Sequence, residues 1–236
     1  MQVFYASEIS EKTALLTEEE SKHALRVLRK NIGDELQLTD GKGMMGKGVI
    51  KNTAGKRCLI EISELKQLAP LPYQLHLVVS PTKNIARMEW MVEKSVEFGL
   101  GSLQVVWTRH SERKKINMDR LLKKGLAAMK QSQQAYLPAF PEPLSLAEYL
   151  QTHLEGQLWV AHCRESDQKQ NWLKDVRAEG KHYVFIGPEG DFSREEIESL
   201  TETGAIPIHL GKRRLRTETA AILCAAVLYQ KSTAYD

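Results

Sequence analysis

Tyr183-Val-Phe-Ile-Gly-Pro-Glu-Gly-Asp-Phe-Ser-Arg-Glu-Glu196 compresses a strand, a turn and a helix start into one short span. Tyr183 to Ile186 is a β-prone apolar run that stops at Gly187-Pro188, and Ser193 with Glu196 has the spacing of a capping box. Glycines at 187 and 190 let backbone approach a ligand at the carboxyl end of a strand, where open α/β sheets place their sites. Taken alone, the same spacing also fits a plain strand-to-helix turn.

Outward from this segment the texture repeats. QLHLVVS (74–80) reads as a strand and IARMEWMVEKSVEFG (85–99) as an amphipathic helix ended by glycine. LQVVWT (103–108) is the next strand and MDRLLKKGLAAMKQSQQ (118–134) the next helix; QLWVAHC, KHYVFIG and AIPIHLG follow as short apolar runs. Strand and helix in alternation predict an α/β domain with a parallel sheet covered on both faces. The first 66 or so residues differ: ELQLTD, GKGVIKN and KRCLIEISEL are short alternating runs between turn residues, which predicts a small β-barrel interrupted by one helix at EEESKHALRVLRK (18–30). Two prolines in Ala69-Pro70-Leu71-Pro72 mark a linker, giving domains at 1–69 and 73–236.

Composition bounds function without choosing it. A net charge of +3 falls short of the basic balance that by itself announces a nucleic-acid partner. Cys58, Cys163 and Cys224 are far apart and odd in number, which fits reduced thiols in a cytoplasmic protein rather than disulfides or a zinc site. The amino terminus lacks the pattern of a signal peptide, and the longest apolar run, Ala220 to Tyr229, is about half a membrane span and reads as a buried helix. Neither a membrane nor a metal is expected. The tryptophans at 90, 107, 159 and 172 read mostly as core.

Two more motifs matter. Gly41-Lys-Gly-Met-Met-Gly46 matches the dinucleotide fingerprint GxGxxG, but that fingerprint needs a helix after it, and KGVIKN reads as a strand. A hairpin or bulge is the better reading. Leu210-Gly-Lys-Arg-Arg-Leu-Arg-Thr-Glu-Thr-Ala220 follows an apolar strand; Thr217 is placed to cap the next helix, with Glu218 in its first turn. Its Lys212, Arg213, Arg214 and Arg216 form either a solvated loop or a seat for an anionic polymer.

IGPEG followed by LG…LRTETA resembles the 16S ribosomal RNA uridine-N3 methyltransferases of the small subunit, in the SPOUT superfamily. His23-Ala-Leu-Arg-Val-Leu-Arg29 with Gly33-Asp34 is similar to that family's HxxxVLR…GD segment, and Lys94-Ser-Val-Glu-Phe-Gly99 to its KxxELG segment. Three positions depart: Asp191 stands where members often carry a second glycine, Arg214 replaces an apolar residue, and Gln134, downstream of the matching Gln131, replaces an arginine.

The resemblance implies a SPOUT catalytic domain with a C-terminal trefoil knot behind a PUA/OB-like barrel, working as a homodimer with each site near the subunit interface. It implies S-adenosyl-L-methionine bound by three loops. These are His162 and Cys163; Ile186, Gly187, Pro188, Glu189 and Gly190; and Leu210, Gly211, Leu215, Arg216, Thr217, Thr219 and Ala220. It implies ribosomal RNA or the small ribosomal subunit as partner, contacted through Lys22, His23, Arg26, Arg29 and Lys30 in the barrel and Lys94 in the catalytic domain. Arg26 and Arg29, three apart, should share a helix face. A second basic stretch, Arg109 to Lys115, follows a strand, and His110 within it reads as a surface residue.

Uracil N3 is an imide that is mostly protonated at neutral pH. Methylation there needs a base and a partner for the anion on O2 and O4. Arg216 is the candidate for the anion, with Glu218 orienting it or taking the proton and Glu189 also available. Other readings are a SPOUT enzyme for another RNA, an RNA-binding protein that has lost catalysis, and a nucleotide-dependent enzyme using Gly41–Gly46.

Overall fold

The computed structural model describes residues 2–164 and 169–233 and resolves two compact units, Met1–Pro70 with Leu126–Leu137, and Leu71–Gly125 with Pro138–Asp236. The first is a closed barrel of β1 (Val3–Ile9), β2 (Thr13–Leu16), β3 (Glu35–Thr39), β4 (Met44–Ala54) and β5 (Arg57–Gln67), in the order β1-β2-β5-β4-β3. Parallel pairing of Val3 with Gln37 closes the ring. Alternation supplies the core: Leu36 and Leu38 from β3, and Cys58 and Ile60 from β5, point inward with Phe4, Leu16 and Ile50.

Gly41–Gly46 is a turn into a strand. Met44 begins β4, and Gly43 takes φ +107°, a conformation that favours glycine. No helix follows, so the nucleotide reading of this motif fails. α1 (Glu18–Lys22) is capped by Thr17 and continues as one π-helical turn, His23–Val27. The helix ends at Leu28, and Arg29 has φ +53°. Arg26 and Arg29 therefore do not share a helix face, a correction to the expectation from their spacing.

A second correction concerns the boundary. Leu126–Leu137 belongs with the barrel rather than with the rest of 73–236. Leu137 N–H donates to the Gly41 carbonyl at 2.8 Å and Gly43 N–H to the Ala135 carbonyl at 2.9 Å. The Tyr136 hydroxyl donates to the Leu68 carbonyl at 2.8 Å, and Lys130 pairs with the buried Glu20.

The second unit holds a seven-stranded sheet. Its elements are β6 (Tyr73–Val79), α2 (Ile85–Glu97), β7 (Leu100–Trp107), α3 (Met118–Gln131, whose end lies in the first unit), β8 (Leu144–Ser145) and α4 (Leu146–Leu150). β9 (Gln157–Ala161), β10 (Gln170–Asn171), α5 (Trp172–Asp175), β11 (Gly180–Ile186), α6 (Arg194–Glu202), β12 (Ile206–His209) and α7 (Thr217–Thr233) complete it. The order is β10-β12-β9-β11-β6-β7-β8, with every pairing parallel. Successive residues Leu77, Val78 and Val79 are all fully buried, so both faces are covered, which is why these strands read as unbroken apolar runs. After β12 the chain returns, and α7 packs on α2, β6 and β11. Trp159 and Trp172 are core; Trp90 is 46% exposed.

Candidate active site

Ala161 pairs with Ile186 on one side and Ile208 on the other, so β9, β11 and β12 end at one level. Their following loops emerge side by side around a cleft of ≈ 620 Å³. Lining it are His162 and Cys163 from the first loop, Ile186, Gly187, Pro188 and Glu189 from the second, and Leu210, Gly211, Leu215, Arg216, Thr217 and Ala220 from the third. Three segments far apart in sequence thus meet in one concavity. Gly190 and Thr219 do not line it; Lys169, Asp191, Lys212, Arg213 and Arg214 do.

The loop after β11 folds on itself. Ser193 caps α6 with a complete capping box, Asp191 N–H donates to the Pro188 carbonyl at 2.9 Å, and Asp191 takes φ +62°. Gly187 is required by this turn rather than by a ligand, since a Cβ there would sit 2.9 Å from the Phe192 nitrogen. A Cβ at Gly190 would sit 3.1 Å from the His110 Cβ, so that glycine faces His110 rather than the cleft.

Thr217 is the first residue of α7, not its cap: the Arg216 carbonyl accepts from Ala220 N–H, and the Thr217 hydroxyl donates to the Gly187 carbonyl at 2.8 Å. That bond ties the start of α7 to the end of β11.

The charges divide differently from the expectation. The Arg216 side chain is exposed and, among the described residues, has no hydrogen-bond or ion-pair partner. Glu218, 5% exposed, does not orient Arg216; its Oε1 lies 3.6 Å from Nε of Arg87, and its buried Oε2 has no hydrogen-bond partner among the described residues. Arg87 Nη1 also lies 3.8 Å from Glu189, which accepts from the Lys83 backbone at 3.3 Å. Arg214 donates to the Glu189 carbonyl at 3.3 Å. Arg87, in the first turn of α2, was not foreseen; its only sequence signal is a cation just after the Asn84 cap.

His162 and Lys169 complete the first loop. Lys169 Nζ donates to the His162 carbonyl at 2.7 Å. Burial first, then the Lys169 charge, lowers the His162 pKa, and among the described residues its buried Nδ1 has no hydrogen-bond partner. Burial also lowers the Lys169 pKa.

A family model described as "RNA methyltransferase domain" matches residues 69–229, and one described as "RNA methyltransferase PUA domain" matches 16–63. The chain belongs to the RNA methyltransferase domain family. It is 29% identical over 237 residues to a ribosomal RNA small subunit methyltransferase E of Aquifex aeolicus, covering 97% of this chain and 99% of that one. Among solved structures, a probable rRNA-methyltransferase from Porphyromonas gingivalis superposes with TM-score 0.88 at 32% identity and full coverage of both chains. A ribosomal RNA small subunit methyltransferase E from Neisseria gonorrhoeae, bound to S-adenosyl methionine, superposes with TM-score 0.81 at 26% identity, covering 96% of this chain and 95% of that one.

The PUA match, 16–63, includes the basic cluster from Lys22 to Lys30. Lys22, Arg26 and Arg29 are exposed; His23 and Lys30 are partly buried, His23 against the Phe4 ring and Lys30 toward the Glu35 carbonyl. Lys94, in the methyltransferase domain, is paired with Glu93 at 3.1 Å and Glu97 at 2.8 Å. Arg109 and Arg113 brace loops, the first through Glu195 and Glu196 and the second through the Thr82 and Lys83 carbonyls. His110, exposed as expected, bonds the Asp191 carbonyl through Nδ1 at 3.0 Å. Among the described residues no group of His, Cys, Asp and Glu is placed to hold a metal, and no helix is long and apolar enough to cross a membrane.

Proposed function

We propose that the chain transfers a methyl group from S-adenosylmethionine to N3 of a uridine in 16S ribosomal RNA of the small subunit, as a cytoplasmic homodimer. The observation that carries this reading is the cleft: three loops from the ends of adjacent parallel strands enclose ≈ 620 Å³, within the range that suits a cofactor of this size. The fit is chemical as well. The lining includes Ala161, Gly187 and Gly211, whose small or absent side chains suit close approach of adenine and ribose, and among the described residues His162 Nδ1 is a buried polar atom without a partner. Bound there, S-adenosylmethionine supplies an electrophilic methyl with no metal required.

The residues divide the remaining work. Arg216, exposed at the cleft and free of carboxylates among the described residues, faces the uracil anion. Glu189, which lines the cleft, is the better placed acceptor for the imide proton, because Glu218 is buried and does not line it. Arg26 and Arg29 contact RNA phosphates.

Exposed Trp90 and Tyr229, on the mutually packed α2 and α7, support a homodimer through this unit. The Thr217 hydroxyl ties the start of α7 to the end of β11, and the knotted path is carried over from the resemblance to the family. A protein that had lost catalysis gains no support from a formed cleft with Arg216 open in it.

Thermal unfolding with S-adenosylmethionine, NAD and ATP tests the cofactor. At a hundred times its Kd, a ligand stabilises by about 2.7 kcal/mol. A rise of roughly 5–10 °C with S-adenosylmethionine alone is expected for a chain of this size. No rise with it would end the proposal.

A further inference from the structure

We propose that Asp191 is a positioning residue whose carboxylate clasps the loop after β9 to the loop after β11 and so holds the cleft in its binding shape; its consequence for the cofactor rests on the function proposed above. One carboxylate oxygen, Oδ2, accepts the Cys163 N–H at 2.8 Å, across the mouth between the two strands. The other, Oδ1, accepts the N–H of its own neighbour Phe192 at 2.9 Å. The backbone of the same residue is equally engaged: its N–H donates to Pro188, and its carbonyl accepts from His110. All the polar groups of Asp191 are therefore committed, from four different residues, on a side chain that lines the cleft.

The backbone at this position explains why the residue is informative. At φ +62° an L residue sits in the left-handed region, where glycine is at ease and Asp and Asn are the side chains best tolerated. Glycine would satisfy the turn and hold nothing. A side chain retained in that conformation, with both oxygens on backbone donors, has exchanged a small strain for a cross-link between two loops that β9 and β11 alone leave unlinked beyond Ala161 and Ile186. Hydrogen bonds to an ionised acceptor are the strong kind, so the link survives the partial exposure of the loop. The cleft is thereby preorganised, and a ligand spends less of its binding free energy on ordering loops.

Asp191→Gly and Asp191→Asn test this in the full chain. Glycine accepts the conformation and asparagine tolerates it, so both should keep the far-ultraviolet spectrum of the parent. Amide hydrogen exchange, followed by NMR without ligand, is read at Cys163. The clasp predicts at least tenfold faster exchange in Asp191→Gly, with Asp191→Asn, which retains one acceptor oxygen, losing protection at either Cys163 or Phe192 but not at both. Calorimetric titration with S-adenosylmethionine should then show affinity weakened about tenfold in Asp191→Gly, the scale of one charge-assisted hydrogen bond, and less in Asp191→Asn.

Unchanged exchange at Cys163 in Asp191→Gly overturns the clasp. Faster exchange with unchanged affinity overturns its positioning role. A parent protein with a protected Cys163 amide and no heat from S-adenosylmethionine would instead remove the proposed function and leave the clasp standing on the exchange result.

Discussion

Replacing Arg87 by alanine should destabilise the methyltransferase unit through a carboxylate that Arg87 never fully bonds. Glu218 is 5% exposed, its Oε1 lies 3.6 Å from Arg87 Nε, and its buried Oε2 has no hydrogen-bond partner among the described residues. Removing one member of a fully buried pair costs about 3–5 kcal/mol, because the other charge is stranded. Here the Arg87 side chain is 34% exposed and its nearest carboxylate oxygens lie at 3.6 and 3.8 Å, so the expected cost is about 1–2 kcal/mol. Urea unfolding is a direct assay, since all four tryptophans lie in this unit and report it alone. The melting temperature should fall by roughly 2–8 °C. Glu218→Gln keeps the shape without the charge, so Arg87→Ala combined with Glu218→Gln should recover at least about 0.5 kcal/mol relative to the sum of the single variants. Strict additivity would mean that the two side chains do not interact and that Glu218 is held by something else.

Three further outcomes follow. Arg216→Ala should lower turnover by about 10² to 10³ with little change in S-adenosylmethionine affinity, and higher pH should restore part of it; Arg216→Lys should be intermediate. Loss of cofactor affinity with full turnover at saturation would reassign Arg216 to the cofactor loop. Arg26→Ala with Arg29→Ala should weaken RNA binding and reduce the salt slope by nearly one for each lost phosphate contact, measured by filter binding across a salt series. Acid should destabilise the fold through His182, which is fully buried, accepts from Trp159 Nε1 at 3.2 Å and bonds the Glu179 carbonyl at 2.9 Å. That pattern requires the neutral ring, and burial lowers its pKa from 6.5. Below pH 6.5 the unfolded chain therefore binds the proton first, and stability should fall as pH drops, by at most about 1.4 kcal/mol per pH unit for this group. Stability that is flat from pH 7 to 5 would contradict this.

Local patterns carried most of the fold. β6, β9, β11 and β12 appear where apolar runs end at glycine or a polar residue, and Ser193 with Glu196 forms the capping box its spacing announces. What the sequence could not show depends on contacts between distant segments. Leu126–Leu137 joins the barrel through the Gly41, Gly43 and Leu68 backbone, which no periodicity within 126–137 reveals. Arg87 looks like any first-turn cation until Glu189 and Glu218 come up to it from another part of the chain. Arg29 was misread because helical spacing was extended past Leu28, where the π-helical turn ends and the backbone turns left-handed. Thr217 was misread because a hydroxyl at a helix start has two uses, and the nearby Gly187 carbonyl won.

Methyl transfer to a uridine N3 of 16S ribosomal RNA can be observed directly. The direct measurement incubates small ribosomal subunits that lack the modification with the protein and S-adenosylmethionine, followed by nucleoside mass spectrometry and primer extension. A methyl at N3 occupies the Watson–Crick edge, so 3-methyluridine and one new strong stop on the 16S strand are expected, both absent without cofactor. Methylation of another atom or another RNA would rule out uridine N3 of 16S ribosomal RNA as the target, and no methyl incorporated into RNA at all would rule out methyl transfer to this RNA.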